Sequence, residues 1–202
     1  MTDSARPTLT VIADPNGSGK STITRLTLAS LLVPIVDPDA IARELRPDAP
    51  EQAAVEAGRE ALRRQTMYIE SGASFIVETT LSGAGTLRLM EKARRQGFTV
   101  HLLFVAIDNV QTNIERVAGR VALGGHHVPE EDVRRRYERG MENLPRAIEL
   151  AERATITDNS SAQGPREIFA IDAGRITAQA PDLPAWITTY LGPFIARQNK
   201  RP

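Results

Sequence analysis

The sequence contains no cysteine and few aromatic residues. Without cysteine, the chain forms no disulfide bonds and carries out no thiol chemistry, a composition that fits a reducing compartment. Aromatic residues make up 4% of the chain, which is too few to predict the stacking surfaces on which single-stranded nucleic acids bind. These two absences favour a cytoplasmic protein without a nucleic-acid partner.

Charge of one sign and long apolar runs are also lacking. The 25 basic and 25 acidic residues cancel at neutral pH, so nothing attracts nucleic acid or an anionic membrane in general, and an anion must bind at a local site. No apolar run approaches the roughly twenty residues that span a bilayer. We expect a single domain over residues 1–202 that binds no membrane.

A glycine-rich stretch between a predicted strand and a predicted helix is the strongest motif present. Gly17 and Gly19 allow successive backbone N–H groups to turn inward around phosphate oxygens. A helix that begins near Lys20 presents its positive end to the same anion. In such loops the lysine bridges the β- and γ-phosphates of ATP, and the following hydroxyl, here Ser21, binds Mg²⁺. The residues predicted to bind ATP are Asn16, Gly17, Ser18, Gly19, Lys20, Ser21 and Thr22.

One position of this loop departs from the usual pattern, since Asp14 stands where the pattern has glycine. A carboxylate adds negative charge near a polyphosphate, and two unit charges about 4 Å apart repel by roughly 4 kcal/mol at an effective dielectric constant near 20. Two functions therefore stay open. The chain is either an active ATP-dependent enzyme or a catalytically impaired nucleotide-binding module with a regulatory or interaction role.

Strands and helices alternate along the rest of the chain. This alternation favours an α/β fold with a mainly parallel, five-stranded sheet and helices on both faces. The apolar runs that predict strands cover residues 9–13, 33–36, 74–77, 99–105 and 155–157. A β-hairpin and a closing helix are expected over about residues 167–195, and an arginine-rich helical hairpin over about residues 109–145.

Polar residues follow the second and third strands. Because the carboxyl ends of parallel strands meet at one sheet edge, Asp39, Glu78 and Thr80 are expected beside the glycine loop. Phosphoryl transfer needs a base for the acceptor hydroxyl, and Asp39 is the candidate. The alternative role of Asp39 is to cap a short helix over residues 40–45. Glu78 and Thr80 are expected to hydrogen-bond the acceptor or the water shell of Mg²⁺, or else to form a polar turn.

The helical hairpin supplies positive charge. Its first helix has an apolar stripe at helical spacing that consists of Val110, Ile114, Val117 and Val121. Arg116 and Arg120 therefore share another face, and we predict that they contact the transferring phosphoryl group. Most of the remaining arginines of the hairpin are expected to form a solvated face.

Together these motifs resemble the zeta toxin family of P-loop kinases. The stretches that carry the resemblance are ADPNGSGKST (13–22), VDPDAIARELRP (36–47), FIVETTLSG (75–83), ERVAGRVALGGHHVPEEDVRRRY (115–137) and DNS (158–160). The resemblance implies a kinase-type P-loop NTPase fold with a helical lid, ATP and Mg²⁺ as cofactors, and an antitoxin protein as a partner.

The resemblance also implies an activity. Family members of known activity phosphorylate the 3′-hydroxyl of the sugar in UDP-N-acetylglucosamine, with a loop lysine matching Lys20 and a general-base aspartate matching Asp39. Glu78 and Thr80 fall where the family contacts the nucleotide sugar, and Arg116 matches a lid arginine on the ATP phosphates. The chain differs from the family around the acceptor pocket, which leaves the acceptor open.

Overall fold

One β-sheet and the helices packed against it make up the described part of the chain. The computed structural model describes residues 6–19, 33–122 and 128–198. Within these ranges the strands are β1 (Thr8–Ala13), β2 (Ile35–Val36), β3 (Phe75–Thr79), β4 (Thr99–Ala106), β5 (Arg153–Asp158), β6 (Arg166–Asp172) and β7 (Arg175–Gln179). The α-helices are α1 (Pro38–Leu45), α2 (Ala54–Ser71), α3 (Ala84–Arg95), α4 (Val110–Ala122), α5 (Glu130–Leu150) and α6 (Ala185–Gln198), and a 3₁₀-helix (Pro50–Ala53) precedes α2.

The strands form a single sheet in the order β2-β3-β1-β4-β5-β6-β7. The five strands β1 to β5 pair in parallel, which confirms the predicted α/β class and the five predicted parallel strands. The predicted total of five is wrong, because the hairpin of β6 and β7 pairs antiparallel with β5 and extends the sheet to seven strands. β6 covers what would otherwise be an unpaired edge of β5.

Both faces of the central strands are buried. Val11 and Phe75 belong to the large core on one face, whereas Ile12 and Ile76 form a second cluster with Val33 and Leu103. Successive residues of a strand point to opposite faces, so a strand that is covered on both faces is apolar throughout. This burial explains why β1 ends in the apolar run Val11-Ile12-Ala13.

The closing helix α6 is attached to the ends of β4 and β5 through Trp186. The indole Nε1 of Trp186 donates a hydrogen bond to Asp158 Oδ1 over 2.9 Å, and its backbone N donates to Asp108 Oδ1 over 2.9 Å. Ser160 joins the two carboxylate residues, because its Oγ donates to Asp158 Oδ1 and accepts from the backbone N of Asp108. These bonds fix the turn after β5, on which Asn159 lies.

The helix α5 is longer than predicted and is part of the main core. It ends at Leu150, beyond the predicted limit of the hairpin at residue 145, and it buries residues along its whole length. Tyr137 Oη donates to Ile107 O over 2.9 Å, and burial raises the pKa of this phenol, which therefore stays protonated. This bond attaches the first half of α5 to the segment that leaves β4 at the carboxyl edge of the sheet.

Two predicted features fall outside the described residues. They are the helix that follows the glycine loop, with Ile23, Leu26 and Leu31, and the break at residues 124–127 between the two helices of the hairpin. Among the helices that the structure does describe, none is both long enough and apolar enough to cross a bilayer.

We predict that Gly140→Ala lowers the melting temperature. A methyl group at this position of α5 would lie 2.8 Å from the backbone O of Thr80, so the helix or the turn after β3 must move. The matched control is Gly58→Ala on α2, where the structure as described places no atom within 4 Å. Alanine should stabilise that helix by about 0.5–1 kcal/mol. Equal stabilisation by both substitutions in thermal melting would contradict the packing of α5 on Thr80.

Candidate active site

The glycine loop follows β1 at the carboxyl edge of the sheet, as predicted. Gly17 has a φ of +87° and Gly19 a φ of +100°, in the left-handed region that favours glycine. Ser18 between them is fully buried, and its backbone N donates to Pro15 O over 3.1 Å. The loop is therefore a tight turn in which both glycines are required by the backbone.

Two asparagines hold this loop from outside. Asn113 on α4 donates from Nδ2 to Asn16 O over 2.8 Å and to Ser18 Oγ over 2.9 Å. Asn159, after β5, donates from Nδ2 to Ser18 O over 2.7 Å. Neither asparagine is assigned a role from the sequence, although Asn159 lies in the stretch DNS (158–160) that contributes to the resemblance. The available signal was that Asn113 lies among Val110, Ile114 and Val117 on the apolar face of a helix, where a polar residue needs a partner.

Beside the loop lies a cleft of about 270 Å³. Its lining residues come from the loop, from the ends of β2 and β3 and from the helical hairpin: Asp14, Asn16, Gly17, Gly19, Asp37, Pro38, Asp39, Glu78, Thr79, Thr80, Arg120 and Arg136. The predicted residues Asp39, Glu78, Thr80 and Arg120 are thus brought together around one cavity. Their roles in catalysis and substrate binding stay predictions.

The predicted cap of the helix α1 is wrong by two residues. Asp37 is the N-cap, with its carboxylate accepting from the backbone N of Asp39 over 3.0 Å and of Ala40 over 3.2 Å. The backbone of Asp37 is extended, as a cap requires, and Pro38 suits the first helical position because its φ is fixed. Asp39 therefore lies inside the first turn, exposed and on the cleft.

The arginines of the helical hairpin divide into two groups. Arg134 and Arg135 pair with Glu130 and Asp132 on the protein surface. Arg136 instead lines the cleft, where its Nη1 lies 3.4 Å from Asn16 Oδ1. From the sequence, Arg136 is not distinguished from the other arginines of the hairpin, most of which are expected to form a solvated face.

Arg116 lies beside the cleft rather than among its lining residues. Its Nη2 donates to the backbone O of Asn159 over 3.3 Å, so the side chain reaches over the turn after β5. Arg120, one helical turn further along α4, is exposed and lines the cleft. Contact of Arg116 with the transferring phosphoryl group stays a prediction.

The turn after β3 is held in an unusual conformation. Leu81 is buried and has a φ of +57°, which is uncommon for a residue other than glycine and carries strain. Thr79 Oγ1 accepts from the backbone N of Leu81 over 3.0 Å, and Asn143 donates from Nδ2 to Leu81 O over 2.8 Å. These contacts fix the backbone next to Thr80, on the wall of the cleft that α5 supports.

Three predicted ligands lie outside the described residues: Lys20, Ser21 and Thr22. In the part of the chain that is described, no group of three or more acidic or histidine side chains is arranged to hold a metal ion. In phosphoryl-transfer sites, Mg²⁺ uses one or two protein oxygens together with phosphates and waters. The Ser21 hydroxyl and the carboxylates of the cleft are oxygen donors of the kind that Mg²⁺ prefers.

Comparison with known sequences identifies relatives. A family model described as Zeta toxin matches residues 1–164. An uncharacterized protein of Haemophilus influenzae is 37% identical over 122 residues, which cover 60% of this chain and 86% of that protein.

Solved structures share the fold at low identity. A chain of the AvrRxo1-ORF1:AvrRxo1-ORF2 complex with sulphate ions matches with a TM-score of 0.70 and 18% identity, over 88% of this chain and 62% of that chain. A chain of the PezAT chromosomal toxin-antitoxin system of Streptococcus pneumoniae matches with a TM-score of 0.59 and 17% identity, over 98% of this chain and 88% of that chain. At these identities the likenesses show the fold alone, and they agree with the predicted α/β fold with a mainly parallel sheet.

We predict that Asp37→Ala lowers the free energy of unfolding by about 1 kcal/mol, because the carboxylate caps α1. Asp39→Ala should lower it by less, since the cap bonds belong to Asp37. Urea unfolding of both variants measures the difference. A larger loss of stability for Asp39→Ala would return the capping role to Asp39.

Proposed function

The chain belongs to the zeta toxin family, and from this we propose that it is an ATP-dependent kinase. The proposed reaction transfers the γ-phosphoryl group of ATP to a hydroxyl of a nucleotide sugar such as UDP-N-acetylglucosamine. The observation that carries the proposal is one cleft lined by a glycine loop, by the exposed Asp39 and by Arg120 and Arg136. An anion-binding loop, a candidate base and positive charge are what phosphoryl transfer requires of a protein.

The phosphates of ATP are assigned to the loop side of the cleft. Gly17 and Gly19 offer backbone N–H groups there, and Lys20 follows directly in the sequence. Arg120 and Arg136 approach from the helical hairpin and neutralise charge that develops on the transferring group. When bound, Mg²⁺ supplies further neutralisation of the phosphate oxygens, and Ser21 is the residue that would hold it.

The acceptor is assigned to the opposite wall. Asp39 takes the proton from the acceptor hydroxyl as that oxygen attacks the γ-phosphorus, and ADP leaves with the bridging oxygen. Glu78 and Thr80 orient the acceptor by hydrogen bonds from the end of β3. The assignment of Asp39 gains support from the cap of α1, because Asp37 makes the capping bonds and leaves Asp39 without that structural task.

We also propose an antitoxin protein as a partner and a cytoplasmic location. PezAT is a toxin-antitoxin system, and the match to a chain of its structure covers 98% of the present chain. The lack of cysteine favours a reducing compartment.

We predict that Asp39→Asn lowers turnover by about 10²-fold or more, because the amide cannot accept the proton of the hydroxyl. ATP affinity should stay nearly unchanged. The measurement incubates the protein with ATP, Mg²⁺ and a panel of nucleotide sugars, and mass spectrometry follows the added phosphate. Asp48→Asn is the matched control, since Asp48 is exposed and lies outside the cleft. An unchanged rate for Asp39→Asn would remove Asp39 from the mechanism.

The second candidate function, an impaired nucleotide-binding module, is favoured by the position of Asp14. This residue is only 5% exposed, lines the cleft, and its backbone N donates to Thr79 O over 3.1 Å. A carboxylate at this place repels a polyphosphate more strongly than one in open solvent.

For Asp14→Gly we expect ATP to bind about tenfold more tightly or better, because the repulsion is removed. Asp14→Asn is the control for charge, since it keeps the size of the side chain and should give a similar gain. Calorimetric titration with ATP at low and high salt measures both, and the gain should shrink as salt screens the repulsion. Equal or weaker binding by both variants would show that Asp14 does not impair the loop.

A further inference from the structure

Hydrogen bonds connect the glycine loop to two other segments in a closed ring. Asn113 on α4 donates to Asn16 O and Ser18 Oγ, and Asn159 after β5 donates to Ser18 O. Arg116, one helical turn after Asn113, donates to Asn159 O and closes the ring. Two backbone carbonyl groups of the loop thus accept hydrogen bonds from asparagines, and Arg116 joins the segments that carry these two asparagines.

The hydrogen bonds from Asn113 and Asn159 determine where the loop N–H groups point. In a planar trans peptide the C=O and the N–H of the same unit point in opposite directions. Because Asn16 O points at Asn113, the N–H of Gly17 points away from α4, and because Ser18 O points at Asn159, the N–H of Gly19 points away from that turn. Both glycines line the cleft, and no backbone carbonyl among the described residues accepts either N–H.

The packing of the two asparagines against the loop leaves no room for a side chain at Gly17 or Gly19. A methyl group on Gly17 would lie 2.6 Å from the backbone O of Asn113, and one on Gly19 would collide with Asn159 Nδ2. Within the described ranges, the buried Oδ1 of Asn113 has no hydrogen-bond partner. An unpartnered buried acceptor is destabilising, so stability of the core is a poor reason for asparagine at this position. The two bonds that it donates to the loop are the remaining reason.

We propose that Asn113 and Asn159 are positioning residues that hold the glycine loop with the Gly17 and Gly19 N–H groups directed at the nucleotide phosphates. The inference rests on the proposed function, since it needs phosphates at the loop. It makes α4 a shared support. The same helix holds the loop through Asn113 and carries Arg120, which lines the cleft, so one element supports both the N–H donors and a positive charge.

The test uses the full chain and inorganic tripolyphosphate. This probe has the three phosphates of ATP but neither its adenine nor its ribose, so it reports on the phosphate site alone. Asn113→Ala and Asn159→Ala should each weaken tripolyphosphate binding about tenfold in calorimetry, because a released peptide unit loses its orientation. Asn159 is only half-buried, so its variant keeps the test available if Asn113→Ala fails to fold.

The matched control is Gln198→Ala. Gln198 Nε2 donates to Gly174 O over 2.8 Å, the same type of bond, in the turn between β6 and β7 at the other end of the sheet. This variant should bind tripolyphosphate as the wild type does. Melting temperatures of all three variants separate positioning from stability. If the asparagines position the loop, their variants lose more tripolyphosphate affinity than Gln198→Ala does at a similar loss of melting temperature.

Wild-type affinity in both asparagine variants would overturn the inference and leave the proposed function standing. A loss of affinity in Gln198→Ala equal to that in the asparagine variants would also overturn it, because the effect would then be one of general stability. If the wild type bound neither ATP nor tripolyphosphate, the proposed function itself would fail, and the inference with it.

Discussion

The parallel pairing of β1 with its two neighbours is the constraint on which the site depends. Ala13, the last residue of β1, is level with Thr79 of β3 and Phe104 of β4. The segments that leave these strands therefore begin at the same edge of the sheet. The glycine loop, the turn with Thr80 and the chain that leads to α4 are neighbours for this reason, although they are far apart in the sequence.

The helical hairpin is more than a cover over this edge. α5 packs into the main core and approaches the turn after β3 so closely at Gly140 that a methyl group would lie 2.8 Å from Thr80 O. α4 touches the glycine loop directly through Asn113. Each helix of the hairpin thus contacts one wall of the cleft, and the proposed phosphate and acceptor sides are held by two different helices. Each helix also contributes one arginine to the lining of the cleft, Arg120 from α4 and Arg136 from α5.

Local patterns predicted what depends on local physics. The two glycines, the apolar strands and the amphipathic α4 follow from backbone freedom and periodicity within a few residues. The hydrogen bonds from the two asparagines to the loop could not be predicted in this way, because Asn113 is 97 residues from Asn16 and Asn159 is 141 residues from Ser18. The wrong prediction of Asp39 as the cap of α1 has a different cause. Asp37 and Asp39 both precede a helical pattern, and the preference of Pro38 for the first helical position was the signal that separates them.

The most direct test of the central claim, that this cleft is a phosphoryl-transfer site, is a crystal structure with a non-hydrolysable ATP analogue, Mg²⁺ and UDP-N-acetylglucosamine. The account predicts phosphate oxygens at the N–H groups of Gly17 and Gly19, and a sugar hydroxyl about 3 Å from the carboxylate of Asp39. Phosphates bound away from the loop, or an acceptor hydroxyl that faces no base in the cleft, would contradict it.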